Sequence, residues 1–271
     1  QYNTYLTGAR DNLAILWSHA PNTSTPTSTP TETTALKSST THVLPAHKLA
    51  AHAHWCTAVA IAPDGAVLSA SADKHIILWD LATDAPKLVL EGHTATVTRL
   101  RVAAHGGLVF SSSWDHTGRV WTLDGECVRV LRGHEAAVWS ILPADEAGEL
   151  VLTASADRTI KLFDNERCTR TFNGHTDVVR DLAPVDGVGF LSCANDGTVR
   201  LWQLSGECLR VLHASETFIY QIGVLPSGEW LTCSEDRTVR VWSAGSDEPV
   251  QSIAHPSIVW ACAATPTGDV L

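Results

Sequence analysis

The chain reads as an all-β protein closed into a β-propeller, and three observations carry that expectation. An Asp followed six residues later by an aromatic recurs at Asp11/Trp17, Asp73/Trp79, Asp115/Trp121, Asp157/Phe163, Asp196/Trp202 and Asp236/Trp242. Successive aspartates lie 62, 42, 42, 39 and 40 residues apart, and Gly-His precedes three of them (His93, His134, His175), with Ala51-His52 before a fourth. Between these marks run short segments such as Thr198-Val199-Arg200-Leu201-Trp202, which alternate with the period of a half-buried strand. A repeat of roughly 40 to 45 residues punctuated in this way is the pattern of four-stranded blades around an axis.

The stretch from Gly92 to Trp121 shows the unit: Gly-His, an apolar run (Val97, Leu100, Val102), a turn at Gly106-Gly107, a second run (Leu108, Val109, Phe110), three serines, Trp114-Asp115, and then Trp121. This gives three strands, with a fourth before the next Gly-His at Gly133-His134. Taken in order, the chain opens inside a motif at Tyr5–Asp11, as the second strand of a first blade. Pro21 to Thr41 is almost all Thr, Ser and Pro and has nothing to bury. Residues 18–45 are therefore an insertion at the outer edge of a single domain spanning 1–271, and they account for the long first interval. Repeats follow at about Pro45–Asp80, His93–Trp121, Val130–Phe163, Thr171–Trp202 and Val211–Trp242. In the sixth, Ala214-Ser215 replaces Gly-His, so Asp236 should be less tightly held. A seventh repeat starts near Val250 with Ala254-His255. The expectation is a seven-bladed ring whose first and seventh blades are incomplete.

Composition narrows the function. A net charge of −10 with pI near 5.6 argues against non-specific nucleic-acid binding, which runs on surplus Lys and Arg, and leaves room for a partner with a basic surface. No stretch is apolar enough for a helical membrane span. The seven cysteines form no CxxC pair, so a zinc site has little support; no metal and no cofactor are expected. Cys127, Cys168 and Cys208 recur at one place in the fourth strand, in different blades, and should stay unpaired and reduced.

In such a repeat the Asp can hold the His, the His a strand-two hydroxyl, and the hydroxyl the indole N–H. His52, His93, His134 and His175, Asp73, Asp115, Asp157, Asp196 and Asp236, and Trp79, Trp121, Trp202 and Trp242 are therefore structural. The same trio could suggest a hydrolase, but it recurs in blade after blade and catalysis needs one site, so no catalytic residue is expected. Of ten tryptophans, five including Trp17 are these strand-three residues, and Trp230 belongs to the core. Trp55, Trp114, Trp139 and Trp260 remain, at places that face one mouth of the ring. Phe218 and Tyr220 occupy matching places in blade six, Arg10, Asn195 and Glu235 the place of Trp114, and Val178 and Arg180 the start of blade five. Trp, Tyr and Arg dominate binding hot spots. Two arginines amid apolar residues and Glu235 suit a small apolar protein face better than a phosphate.

The run Gly133–Cys168 resembles the propeller of the phospholipase A2-activating protein, or ubiquitin fusion degradation adaptor, family of WD40 proteins. So do Phe190–Asp196, Ser205–Leu209, Phe218-Ile219-Tyr220, Ser113-Trp114-Asp115 and Ser257–Trp260. The resemblance implies a seven-bladed propeller that binds mono-ubiquitin on the aromatic mouth, without lipase activity, in the cytoplasm and nucleus. It assigns docking on the AAA segregase, valosin-containing protein, to a helical-repeat domain that lies outside the propeller. The alternative is a scaffold that assembles partners through its rim, with the aromatics merely lining the channel.

Overall fold

The computed structural model describes residues 4–19, 43–103 and 107–263. The Thr/Ser/Pro tract, Gly106 and the expected second strand of a seventh blade lie outside them.

Among the described residues, twenty-three strands form six antiparallel sheets. The first sheet has three strands, β1 (Thr4–Gly8), β2 (Ala14–His19) and β3 (Val43–Leu49). Five four-stranded sheets follow: β4 (Cys56–Ile61), β5 (Val67–Ser71), β6 (Ile76–Asp80) and β7 (Ala85–Leu90); β8 (Val97–Val102), β9 (Leu108–Ser113), β10 (Gly118–Thr122) and β11 (Cys127–Leu131); β12 (Val138–Pro143), β13 (Leu150–Ser155), β14 (Ile160–Asp164) and β15 (Arg167–Phe172); β16 (Val179–Val185), β17 (Gly189–Ala194), β18 (Thr198–Trp202) and β19 (Cys208–His213); β20 (Ile219–Val224), β21 (Trp230–Ser234), β22 (Thr238–Trp242) and β23 (Gln251–Ala254). Each sheet is a meander, so the repeat yields a propeller of six blades, not seven. The expected seventh blade fails because Gln251–Ala254 completes the sixth sheet as its outer strand, and residues 255–263 pair into no ladder. The repeats are also offset from the blades. Val43–Leu49 pairs with β2, so the strand that opens each sequence repeat is the outermost strand of the blade before it.

Burial follows position in the blade. The second strands are buried on both faces: neighbouring blades cover Val67–Ser71, while the fifth blade on one side and Val259 and Cys262 on the other cover Trp230–Ser234. The fourth strands are mostly exposed, as in Arg167–Phe172. The apolar clusters lie between blades: Leu68, Ile76 and Leu90 of the second blade pack with Leu100, Val109 and Trp121 of the third. Trp230 is buried and stacks on Trp242 at 5.3 Å, as its core assignment required.

The blades are tied across the axis as well. Asp181 on β16 is buried; it pairs with Arg99 on β8 and accepts a bond from Ser140 Oγ on β12 at 2.7 Å. Arg101 Nη2 donates to Leu182 O at 3.3 Å. Burial and the neighbouring Arg99 push the Arg101 guanidinium below its usual range, and Asp181 opposes them.

Candidate functional site

The internal hydrogen-bond sets decide which polar residues are free for recognition. In the third blade His93 Nδ1 lies 2.8 Å from Asp115 Oδ2, His93 Nε2 lies 2.8 Å from Ser111 Oγ, and Trp121 Nε1 donates to Ser111 Oγ at 2.8 Å. One direction satisfies every group: indole N–H to hydroxyl, hydroxyl to imidazole Nε2, imidazole Nδ1–H to carboxylate. Burial depresses the His93 pKa against the pull of Asp115, which keeps the ring neutral as that chain requires. His52–Ser69–Trp79 with Asp73, and His175–Ser192–Trp202 with Asp196, repeat the arrangement. His134, Asp157 and Thr153 do so without an indole, since Phe163 stands in its place. In the sixth blade Ser215 replaces the histidine and lies 3.2 Å from Asp236, while Arg240 approaches the same carboxylate to 2.7 Å. Asp236 is the most exposed of these carboxylates, as the missing histidine suggests, yet it has gained a cation that the repeat pattern did not reveal.

Each set braces one hairpin against one entering loop. Asp115 Oδ2 accepts the Thr94 N–H at 3.0 Å, Oδ1 accepts the Thr117 N–H at 3.0 Å, and Trp114 N donates to Thr96 O at 2.9 Å. The backbone that carries Trp114 is thus held on both sides.

The eleven residues expected at the mouth are all partly or largely exposed. Trp55, Trp114, Phe218 and Trp260 are 44, 46, 37 and 57% exposed. Seven of the eleven form one continuous run. Arg10 lies over Trp55 at 4.9 Å and over Trp260 at 5.8 Å. Trp260 stacks on Tyr220 at 4.4 Å. Arg180 lies 5.5 Å from Tyr220 and 4.2 Å from Trp139, which meets Trp114 edge-on at 5.6 Å. Phe218 joins through Tyr220 at 6.5 Å. Asn195 accepts a 2.7 Å bond from Arg180 Nε, and the Glu235 carboxylate acts electrostatically on Tyr220. Burial and Glu235 raise the Tyr220 pKa, and burial lowers that of Arg180. Val178 contributes through its carbonyl, which accepts the Asn195 N–H at 2.9 Å.

Local backbone geometry puts these side chains there. The pairing of each innermost strand with the second slips by one residue, between Val138 and Ser140, Val179 and Asp181, and Ile219 and Gln221. The unpaired residues of these β-bulges are Trp139, Arg180 and Tyr220, so the bulge re-aims the side chain that enters the run. Thr57 and Thr98 are the bulged residues of the second and third blades, and they spend their hydroxyls on Val97 O and Val138 O at 2.5 and 2.7 Å. Sequence reasoning found the aromatics but missed the bulges, and it missed the Arg99–Asp181 pair. The available signal was an acid and two cations inside otherwise apolar strands.

Six blades and repeated His–Asp–hydroxyl braces define a propeller of the WD type. The chain belongs to the WD40 family: the profile of the WD domain, G-beta repeat, matches residues 42–80, 85–122, 125–164, 166–203 and 206–243. Within it the chain is similar to Protein DOA1 of Saccharomyces cerevisiae, 40% identical over 151 residues, covering 55% of this chain and 21% of that protein. The crystal structure of the WD40 propeller domain of Doa1 superposes with a TM-score of 0.85 at 32% identity, over 98% of this chain and 84% of that one. The ubiquitin homeostasis protein lub1 of Schizosaccharomyces pombe is 36% identical over 208 residues, covering 76% of this chain and 28% of the relative. The nuclear distribution protein PAC1-2 of Uncinocarpus reesii is 34% identical over 207 residues, covering 63% of this chain and 45% of the relative. The chain thus spans less than half the length of these curated relatives.

Proposed function

We infer that this propeller is the ubiquitin-recognition module of an adaptor in ubiquitin-dependent degradation and that it takes mono-ubiquitin on the aromatic mouth. The observation that carries this reading is the run from Trp55 to Trp114, in which two guanidiniums sit against four aromatic rings. The cations are already engaged by ring faces and by Asn195, so they brace the surface rather than await an anion. What is left for a partner is exposed indole, which suits a small apolar patch with a polar rim. Likeness to a ubiquitin homeostasis protein supports the choice of ubiquitin. The histidines of the His–Asp–hydroxyl braces are buried with both ring nitrogens engaged, so recognition rather than chemistry is the role proposed. The segregase is assigned no contact with the propeller.

The test is an NMR titration of labelled mono-ubiquitin with the chain. Saturable shifts on one ubiquitin face are expected, and Trp139→Ala should weaken binding by about 2 kcal/mol or more, the scale of a buried aromatic hot spot. No shift with wild-type protein would reject the reading. It would favour the scaffold alternative, for which exposed Val89, Val128, Leu209 and Val211 on the outer strands offer a rim surface.

A further inference from the structure

Behind the mouth lies a pair of sulfurs that the recognition reading does not use. Cys233 on β21 and Cys262 in the segment after β23 are disulfide-bonded, with Cα atoms 6.5 Å apart, a separation a disulfide spans. The other five cysteines are free. Cys127, Cys168 and Cys208 stand on outer strands of three different blades. Cys56 and Cys193 lie inside the fold, and burial pushes the Cys56 thiol up to about 12 and raises that of Cys193 as well, leaving both unreactive. Secreted frameworks pair their cysteines, so a single bridge among five free thiols reads as a reversible one.

Its place gives it a consequence. Residues 255–263 join no ladder. They are held by His255 N–H on Arg237 O at 2.8 Å, by Cys262 N–H on Gln221 Oε1 at 3.0 Å, by packing of Val259 and Cys262 on the sixth-blade core, and by the bridge. This segment also carries Trp260, two residues from Cys262, and Trp260 links Arg10 to Tyr220 in the mouth. The bridge closes a span of 29 residues and so removes conformations in which the segment lifts away.

We propose that Cys233–Cys262 is a thiol–disulfide site that controls whether Trp260 is held in the mouth. The oxidant is a small-molecule disulfide of the glutathione class. When the segment lifts, the Cys262 thiolate attacks one sulfur of the oxidised glutathione, forms a mixed disulfide and expels one glutathione thiolate. The Cys233 thiolate then attacks Cys262 Sγ, closes the bridge and expels the second. Two protein thiols are oxidised, one glutathione disulfide is reduced to two glutathione molecules, and the two cysteine protons end on them. The reverse exchange opens the bridge. Control of ubiquitin affinity rests on the reading proposed above; formation of the site does not.

The whole chain is equilibrated in reduced or in oxidised glutathione, alkylated and mapped by mass spectrometry, followed by hydrogen exchange on residues 255–263 and titration with mono-ubiquitin. Oxidation is expected to block alkylation at Cys233 and Cys262 together and to slow exchange in the segment about tenfold. It should tighten ubiquitin binding about fivefold, the lower end of ordinary coupling between sites. Cys262→Ser, at the looser end of the pair, should show the reduced behaviour in both buffers. Both thiols still alkylated after oxidation, unchanged exchange once bridged, or equal ubiquitin affinity in the two states would each overturn the proposal. A bridge that forms and stiffens the segment of a protein that binds ubiquitin in neither state would uphold the thiol site and reject the ubiquitin reading instead.

Discussion

At the residue after each hairpin aspartate the backbone turns left-handed: φ is 68° at Asn12, 79° at Lys74, 69° at His116, 71° at Arg158, 74° at Gly197 and 69° at Arg237. Four of these six are side chains that rarely adopt that conformation, at a cost of roughly 1 to 2 kcal/mol each. The aspartate recovers it, since its Oδ1 accepts the N–H of the residue beyond, at 3.0 Å for Thr117 and 2.9 Å for Thr159 and Thr198. Gly197 is different for reasons of space. A Cβ there would stand 2.1 Å from Ser215 O, and the Gly197 carbonyl accepts the Ala214 and Ser215 N–H groups at 2.9 and 3.1 Å. Gly197→Ala should therefore cost more than about 1 kcal/mol in urea unfolding, the strain of a filled left-handed site plus a backbone collision. A loss under 0.5 kcal/mol would show that the loop can move aside.

The hairpin and the loop it braces form the element on which the site depends, and their bond is acid-sensitive. Burial alone would raise the Asp115, Asp157 and Asp196 pKa values. Hydrogen bonds from the histidine and the neighbouring threonine outweigh it and hold all three well below the usual 3.8. A carboxylate whose folded pKa is depressed stabilises the fold above its unfolded pKa, and that stability is lost as pH falls toward the folded value. Neutral His93, depressed below 6.5 by burial, acts in the same direction from a higher pH. Urea midpoints should accordingly decline as pH drops below about 6.5 and fall more steeply below about 4, with no compensating gain. A midpoint flat from pH 7 to 4 would contradict the neutral-histidine chain. These braces were legible in the sequence because each member has one partner it can satisfy when buried, so Asp115, His93 and Trp121 imply one another. Arg240 was not, because a cation four residues past Asp236 carries no mark separating it from any exposed strand arginine. The bulges were hidden too, since a slip of one residue leaves the apolar pattern on either side intact. The mouth residues were legible only by subtraction, as aromatics the braces did not consume.

Among the described residues the sheets pack in chain order, and at the mouth Arg10 from the first blade covers Trp260 from the segment after the sixth. The number of blades was the part least visible in the sequence. Repeats count units of pattern, whereas blades count ladders, and Ala254-His255 continued the pattern where the ladder stopped. The first sheet is the shortest: β1 pairs only with β2, and no strand lies on its inner side among the described residues. Native-state hydrogen exchange should find the amides of β1 opening first, well before those of β9, β13 and β17, which are paired on both sides and buried between blades. Equal protection in all of these strands would mean that the ring unfolds as one unit.

The bulged position of each innermost strand has a wider meaning. It is the one place in the strand that neither the ladder nor the apolar alternation claims, so its occupant can change while the barrel-side and blade-side neighbours stay put. Threonine there fastens one blade to the next, and tryptophan, arginine or tyrosine there faces outward. Specificity in this scaffold therefore rests on the three sockets that face outward, Trp139, Arg180 and Tyr220: a new guest can be accommodated by exchanging letters there without breaking a ladder pair or the threonine ties between blades.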